Sequence, residues 1–260
     1  MCIRDSSVGE WAARTAGAWG NSLEVSVCPS ATAYEQLAVT TVNDASTAVG
    51  DKTVTVTSGT SINVGDIVNF AETGGYEYRV TAKNTNDISF VRKDTSEGGL
   101  HSVITNGANV RRRWRYYDLV SKAPGTSPYV LARSGSGDEL HVVVIDRDGE
   151  VTGTPGEILE TYDSMSKASD AKNPQGDTNY YPTVILNKSS FIYWMDHNTS
   201  GSNWGNAAAN STYTDVTTNT YTNLSNGSNG SNVNVGEKKT AYEKFEDADT
   251  VDVGIIIAGP

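Results

Sequence analysis

The chain has 260 residues, enough for one large domain or two small ones with a real core. Apolar residues make up 37%, a low share for a globular domain, and the net charge of −11 argues against a dedicated nucleic-acid binder, which needs many Lys and Arg to displace phosphate counterions. No run approaches the roughly 18 apolar residues of a membrane-crossing helix, and two cysteines, Cys2 and Cys28, make no disulfide framework and lack metal-site neighbours.

Met1-Cys2-Ile3-Arg4-Asp5-Ser6 lacks the apolar region of a signal peptide and reads as a non-native leader over 1–6. Trp11-Ala12-Ala13-Arg14 reads as a helix end, and Gly17 to Ser22 as a turn. Leu23, Val25 and Val27 alternate with Glu24, Ser26 and Cys28, the period of a half-buried strand, which Pro29 ends.

Residues 50 to 115 carry several short strand patterns. Val54 and Val56 alternate with Thr; Ser58-Gly59 turns; Val64-Gly65-Asp66-Ile67-Val68 opens another strand through a turn that carries no chemistry by itself. Tyr76, Tyr78, Val80 and Ala82 fall on one face, and Asn84 to Asp87 makes a hairpin loop into Ile88-Ser89-Phe90-Val91. Such spacing predicts a small all-β barrel or sandwich.

Residues 116 to 196 mix α and β patterns. Glu139 to Ile145 is apolar enough for a strand buried on both faces. Ile158 to Met165 fits either a helical stripe or a strand, Asn179 to Leu186 a short helix, and Phe191 to Met195 a strand. From 197 to 236, 28 of 40 residues are Asn, Ser, Thr or Gly, which predicts a long, mobile surface loop unable to offset its chain entropy by burial. Val251 to Ile257 reads as a buried strand three residues from the last residue, so the chain is expected to be a fragment of a longer protein.

No pattern asks for catalysis. Asp146-Arg147-Asp148-Gly149-Glu150 lacks the third acidic position and distal Glu of a calcium loop and reads as a hairpin turn. His101, His141 and His197 stand at no motif spacing from a nucleophile or carboxylate, and neither a Gly-x-Ser-x-Gly elbow nor a phosphate-binding loop is present. Catalytic, cofactor-binding and metal residues are therefore expected to be none. Arg111, Arg112, Arg113 and Arg115, around Trp114, form the one dense basic cluster. One strip supplies too few phosphate contacts for nucleic acid, and on an acidic chain it is a candidate subunit contact.

Two stretches carry a resemblance. The first is Ala12-Ala13-Arg14-Thr15-Ala16-Gly17-Ala18-Trp19-Gly20-Asn21-Ser22 with the strand to Val27. The second runs from Asp146-Arg147-Asp148-Gly149 through Gly156-Glu157-Ile158-Leu159-Glu160-Thr161-Tyr162-Asp163-Ser164-Met165-Ser166 and Gly176-Asp177-Thr178-Asn179-Tyr180-Tyr181 to Ser189-Ser190-Phe191-Ile192-Tyr193. In this order they resemble the tail sheath proteins of contractile-tailed bacteriophages of the T4 type, and the chain looks like an internal or N-terminal fragment of one. The low-complexity stretch does not map onto the family pattern.

The resemblance implies an α+β, mainly β fold: a discontinuous mixed sheath core over 7–38 and 115–260, truncated at the C-terminus, with a small antiparallel β-barrel or sandwich inserted at 39–114. It makes Ile158 to Met165 a strand. It implies a structural protein without enzymatic activity or cofactor, found in the virion tail after assembly in the host cytoplasm. Expected partners are copies of itself in a helical stack of hexameric rings, the tail tube protein, and baseplate and tail terminator proteins, with no direct nucleic acid and no membrane insertion. Contraction then serves host cell entry and genome ejection by driving the tube through the envelope. Trp19, Asn21, Tyr162 and Tyr181 are expected to stabilise the core, Asn21 by capping its turn. The alternative is a β-rich binding module, a phage adhesin or carbohydrate-binding domain, whose exposed aromatics would stack on sugars. A hydrolase would need a His within reach of a nucleophile or carboxylate in a pocket.

Overall fold

The computed structural model describes residues 9–72, 74–95, 97–230 and 234–244. The expected leader at 1–6 and strand at 251–257 lie outside the described residues. Two units divide between Gly227 and Ser228. In chain order the first holds β1 (Trp11–Ala13), a 3-10 turn (Ala18–Ser22), β2 (Leu23–Cys28), α1 (Ala31–Tyr34), β3 (Glu35–Thr41), β4 (Thr53–Thr55), β5 (Ile67–Asn69), β6 (Tyr78–Asn84), β7 (Asp87–Arg92) and β8 (Asn109–Arg113). It continues with a second 3-10 turn (Tyr117–Leu119), α2 (Pro128–Leu131), β9 (Glu139–Asp146), β10 (Glu157–Ser166), α3 (Tyr181–Lys188), β11 (Ile192–Trp194) and β12 (Thr220–Asn223). The second unit holds α4 (Val235–Glu243), started by a capping box between Asn234 and Glu237. The fold is mainly β, in antiparallel sheets, and no helix of the described residues is long and apolar enough to cross a membrane.

A four-stranded antiparallel sheet runs β10-β9-β2-β12. Every residue of β9 is buried, as its continuous apolar run requires. Alternate residues serve opposite faces: Leu140, Val142 and Val144 enter the main core, Val143 and Ile145 a smaller cluster behind it. β2, expected to be half-buried, has all six of its residues buried. Its polar face is covered by Trp114, whose Nε1 donates to Ser26 Oγ at 2.8 Å, and by Tyr116, whose hydroxyl donates to Glu24 at 3.2 Å. Leu23, Val25 and Val27 face the main core, where each buried side chain contributes about 1.5–3 kcal/mol.

Three elements close that core. α3 begins with Pro182 in its first turn, where the missing N–H costs nothing, and buries Tyr181, Val184 and Ile185. β10 is a ten-residue strand and not a helix; β9 supplies its hydrogen-bonding partner across a register shift between Tyr162 and Met165. β1, expected as a helix end, is a strand paired with β11 at Trp11↔Trp194, Ala12↔Tyr193 and Ala13↔Ile192. Its partner lies far away in sequence, so local pattern could not reveal it.

The stretch expected as a mobile loop is largely built into the fold. Trp204, Ala208, Tyr213, Val216 and Leu224 are buried in the main core, and β12 is an edge strand on β2. The polar composition of the segment hides single apolar anchors spaced along it. Between them the polar side chains bond backbone, as Asn203 Nδ2 does with Thr212 O at 2.7 Å.

A six-stranded antiparallel sheet follows the order β3-β8-β5-β6-β7-β4. It starts at Glu35, ahead of the expected boundary at 39. Beyond β3 and β4 the chain pairs Val42 with Val56, and Thr57 N donates to Thr41 O at 2.8 Å, so the two outer strands meet. Inside lie Val68, Phe70, Tyr78, Val80, Ile88, Phe90 and Val110, with Phe90 centred 5.1 Å from Phe70 and 4.9 Å from Tyr78. The β6–β7 hairpin turns at Thr85-Asn86 with Thr85 at φ 54°. A register shift between Val80 and Ala82 turns Ala82 outward, against its expected place on the Tyr78 face.

Candidate functional site

β8 carries Arg111, Arg112 and Arg113, which the strand's alternation separates, and Arg115 follows two residues past its end. Arg111 bonds Glu35. Arg113 pairs with Glu35 Oε1 and with Glu77 Oε1, each at 2.9 Å. Glu77 also lies 3.5 Å from Lys93, which reaches Asp118 at 3.4 Å. Arg115 stands 3.7 Å from Glu24 and over the Tyr116 ring. Arg112 points to the other face, in register with Val68, and its side chain has no exposure. The cluster is therefore not a bare basic strip: three of its cations are matched by carboxylates of the same chain, and Arg112 is buried inside it.

Arg112 belongs to a polar seam between the two large sheets. Its Nη2 donates to Thr32 O at 2.6 Å, Thr217 O at 3.1 Å and Gln36 Oε1 at 3.2 Å, while Nη1 lies 3.9 Å from Asp66. Asp66, fully buried, accepts from Asn63 N at 2.8 Å, Tyr221 hydroxyl at 2.8 Å and Asn219 Nδ2 at 3.3 Å. Asn219 Nδ2 also donates to Ala33 O at 2.8 Å. Burial pushes the Asp66 carboxyl up against the pull of Arg112, and pushes the Tyr221 hydroxyl well up too. None of Asp66, Asn219 and Tyr221 stands out in the sequence. Asp66 sits in a common turn motif and the other two in the low-complexity run, so only a buried charge across the seam distinguishes them.

Two further networks hold the four-stranded sheet. Asp146 accepts from Ser22 Oγ at 2.6 Å, Gly149 N at 3.1 Å, Val151 N at 3.0 Å, and Thr152 N and Oγ1 at 2.7 and 2.9 Å. Burial raises this carboxyl, but the hydrogen bonds from Ser22 and Thr152 outweigh it and hold the pKa at about 2. The turn expected at 146–150 is thus organised by its own aspartate. Lys167, with no exposure, donates to Pro29 O and Gly137 O, both at 2.7 Å, and burial brings it down to about 8 despite the nearby Asp138.

Asn21 does not cap its turn. Its amide clamps the backbone of Gly227, donating to O at 2.9 Å and accepting from N at 2.7 Å. Tyr181 is buried in the main core, with Trp19 and Tyr162 packed against it.

The histidines occupy structural settings. His141 Nε2 donates to Lys122 O at 2.9 Å and Nδ1 accepts from Ser164 N at 2.9 Å; burial lowers its pKa against the opposing Asp163. His197 Nδ1 accepts from Tyr181 hydroxyl at 2.6 Å, which accepts from Trp194 Nε1 at 3.0 Å. His101 stacks on Tyr76 with centroids 3.7 Å apart. Cys28 is buried, and its thiol pKa is raised by burial. Among the described residues no group of three or more His, Cys, Asp or Glu is placed to hold a metal ion. What this arrangement does best is fix two sheets to one another through charge and hydrogen bonds. Comparison of the chain with protein-family models, with curated proteins and with solved structures finds no match.

Proposed function

We propose that the chain is a structural subunit of a contractile bacteriophage tail sheath, which polymerises with copies of itself around the tail tube and contracts to drive the tube through the host envelope. The observation that carries this reading is the meeting of the two stretches on which the resemblance rests. The first stretch meets the second at both ends of the latter: Leu23 pairs with Asp146, and Ala12 and Ala13 pair with Tyr193 and Ile192. Glu160 on β10 accepts from Ser189 Oγ and Ser190 N, both at 2.7 Å. Segments far apart in sequence thus build one body, as a discontinuous core requires. The intervening 39–114 is read as an inserted antiparallel barrel, consistent with the bridge from Val42 to Val56.

A subunit of this kind keeps its fold while its outer contacts exchange between two packings. The seam and the Asp146 turn suit that demand, because they tie the sheets together internally. Tail tube, baseplate and terminator proteins are its proposed partners, the virion tail is its proposed place, and no catalytic group takes part. Full-length protein expressed with its neighbouring tail proteins is expected to sediment as long polymers; a soluble monomer under those conditions would sink the reading.

One observation favours a second reading, a carbohydrate-binding module. Exposed Tyr76, stacked on the half-buried His101, borders a hollow of about 430 Å³ with Glu77, Lys93 and Asp94. Glycan binding by the isolated chain that disappears in Tyr76→Ala would favour this reading over assembly.

A further inference from the structure

Ion pairs on and beside the outer face of the six-stranded sheet take up most of the cations around β8 and leave Arg79 out. Glu35 and Glu77 match Arg111 and Arg113, Glu77 and Asp118 match Lys93, and Glu24 stands by Arg115. Arg79 on β6 lies on the same face, since Ile67 of β5 pairs with Arg79 on one side and with Arg113 on the other. Yet among the described residues the Arg79 side chain has no ion pair and no hydrogen bond. Its strongest electrostatic neighbour is another cation, Arg115, and desolvation together with that repulsion lowers its pKa.

Arg79 and Arg115 both line one pocket of about 260 Å³, with Glu24, Gly65, Tyr221 and Asn223 among the walls. The pocket is held from several sides. Tyr221 hydroxyl is fixed by Asp66 at 2.8 Å and by Arg115 N at 3.1 Å. Gly65, at φ +100°, lets the backbone run against the Tyr221 ring, where a Cβ would stand 3.4 Å from ring carbon. Two arginines against one carboxylate leave a net positive, partly desolvated cleft with forked donors, the arrangement that binds planar or tetrahedral oxyanions.

We propose that this cleft is an oxyanion site, in which a carboxylate or phosphate group bridges Arg79 and Arg115. The inference is independent of the assembly reading. The group would come either from an acidic side chain of another polypeptide or from free phosphate, and the two sources are separable by experiment.

The test follows the arginine side-chain Nε–H NMR signals of the full chain during titration with inorganic phosphate. A second titration uses a short Asp/Glu peptide, and sodium chloride at matched ionic strength is the control. Saturable shifts of the Arg79 and Arg115 signals with either titrant, absent with chloride, are expected. Phosphate alone shifting them identifies a small-anion site, and the peptide shifting them at lower concentration identifies a protein carboxylate. Arg79→Gln is expected to weaken the interaction at least about tenfold. The same variant is expected to be as thermally stable in chloride as the parent, because it removes an unpaired cation. Unshifted Arg79 signals with both titrants, or equal affinity in Arg79→Gln, overturn the proposal.

Discussion

The His141 side chain is fully buried, and desolvation opposes a second proton on its ring. Its Nδ1 is filled by the Ser164 N–H and its Nε2–H by Lys122 O, and the charged groups facing it are Asp163, Glu139 and Lys122. Burial outweighs the acidic neighbours, so the folded-state pKa is lowered from the ordinary histidine value of 6.5. The unfolded chain therefore binds more protons below that value, and stability from this group is complete above it and lost as pH falls through it. Gln in place of His141 keeps one donor and one acceptor without a titrating charge. Urea denaturation of the parent and His141→Gln at pH 7.5 and pH 5.5 checks this. The parent is expected to lose more stability on acidification than the variant; equal losses contradict the neutral setting of the imidazole.

At the scale of elements, the seam decides how the sheets hold together. Arg112 and Asp66 are both fully buried, so removing one leaves the other without its counter-charge. Arg112→Leu is expected to cost about 3–5 kcal/mol, and the double variant with Asp66→Asn less than the sum of the two single losses. Additive losses in a denaturation cycle contradict a coupled pair. Elements with a strong local period were legible before the fold was known. β2, β9 and the β6–β7 hairpin follow from alternation, an apolar run and turn chemistry, and α3 from its apolar spacing. β1 and β12 were not legible, because both are short strands whose identity rests on partners distant in sequence. The arginine cluster was visible as residue types, but its matching by Glu35, Glu77 and Glu24 was not. Pairing across strands is a property of register, which composition does not contain.

For the whole molecule, the segment from Trp204 to Leu224 is the clearest departure from what composition implies. Its anchors share a core with Leu23, Val25 and Val142, so opening it exposes that core. Hydrogen exchange of the intact chain is expected to show the Tyr213 amide, bonded to Ser136 O, and the β12 amides bonded to β2 protected far beyond a loop, approaching the protection of β2. Exchange at the rate of an unstructured peptide contradicts the packing. A body tied together in this way can keep its shape while its surface contacts change, as the proposed contractile lattice would require of its subunit.

The most direct measurement is cryo-electron microscopy of the protein expressed with the proposed tube and baseplate partners. Helical tubes of stacked six-fold rings, with the four-stranded sheet and the six-stranded sheet recognisable in every subunit, are the expected result. Dispersed single particles, with no helical order at any protein concentration or in the presence of the tube, contradict a role in a tail sheath.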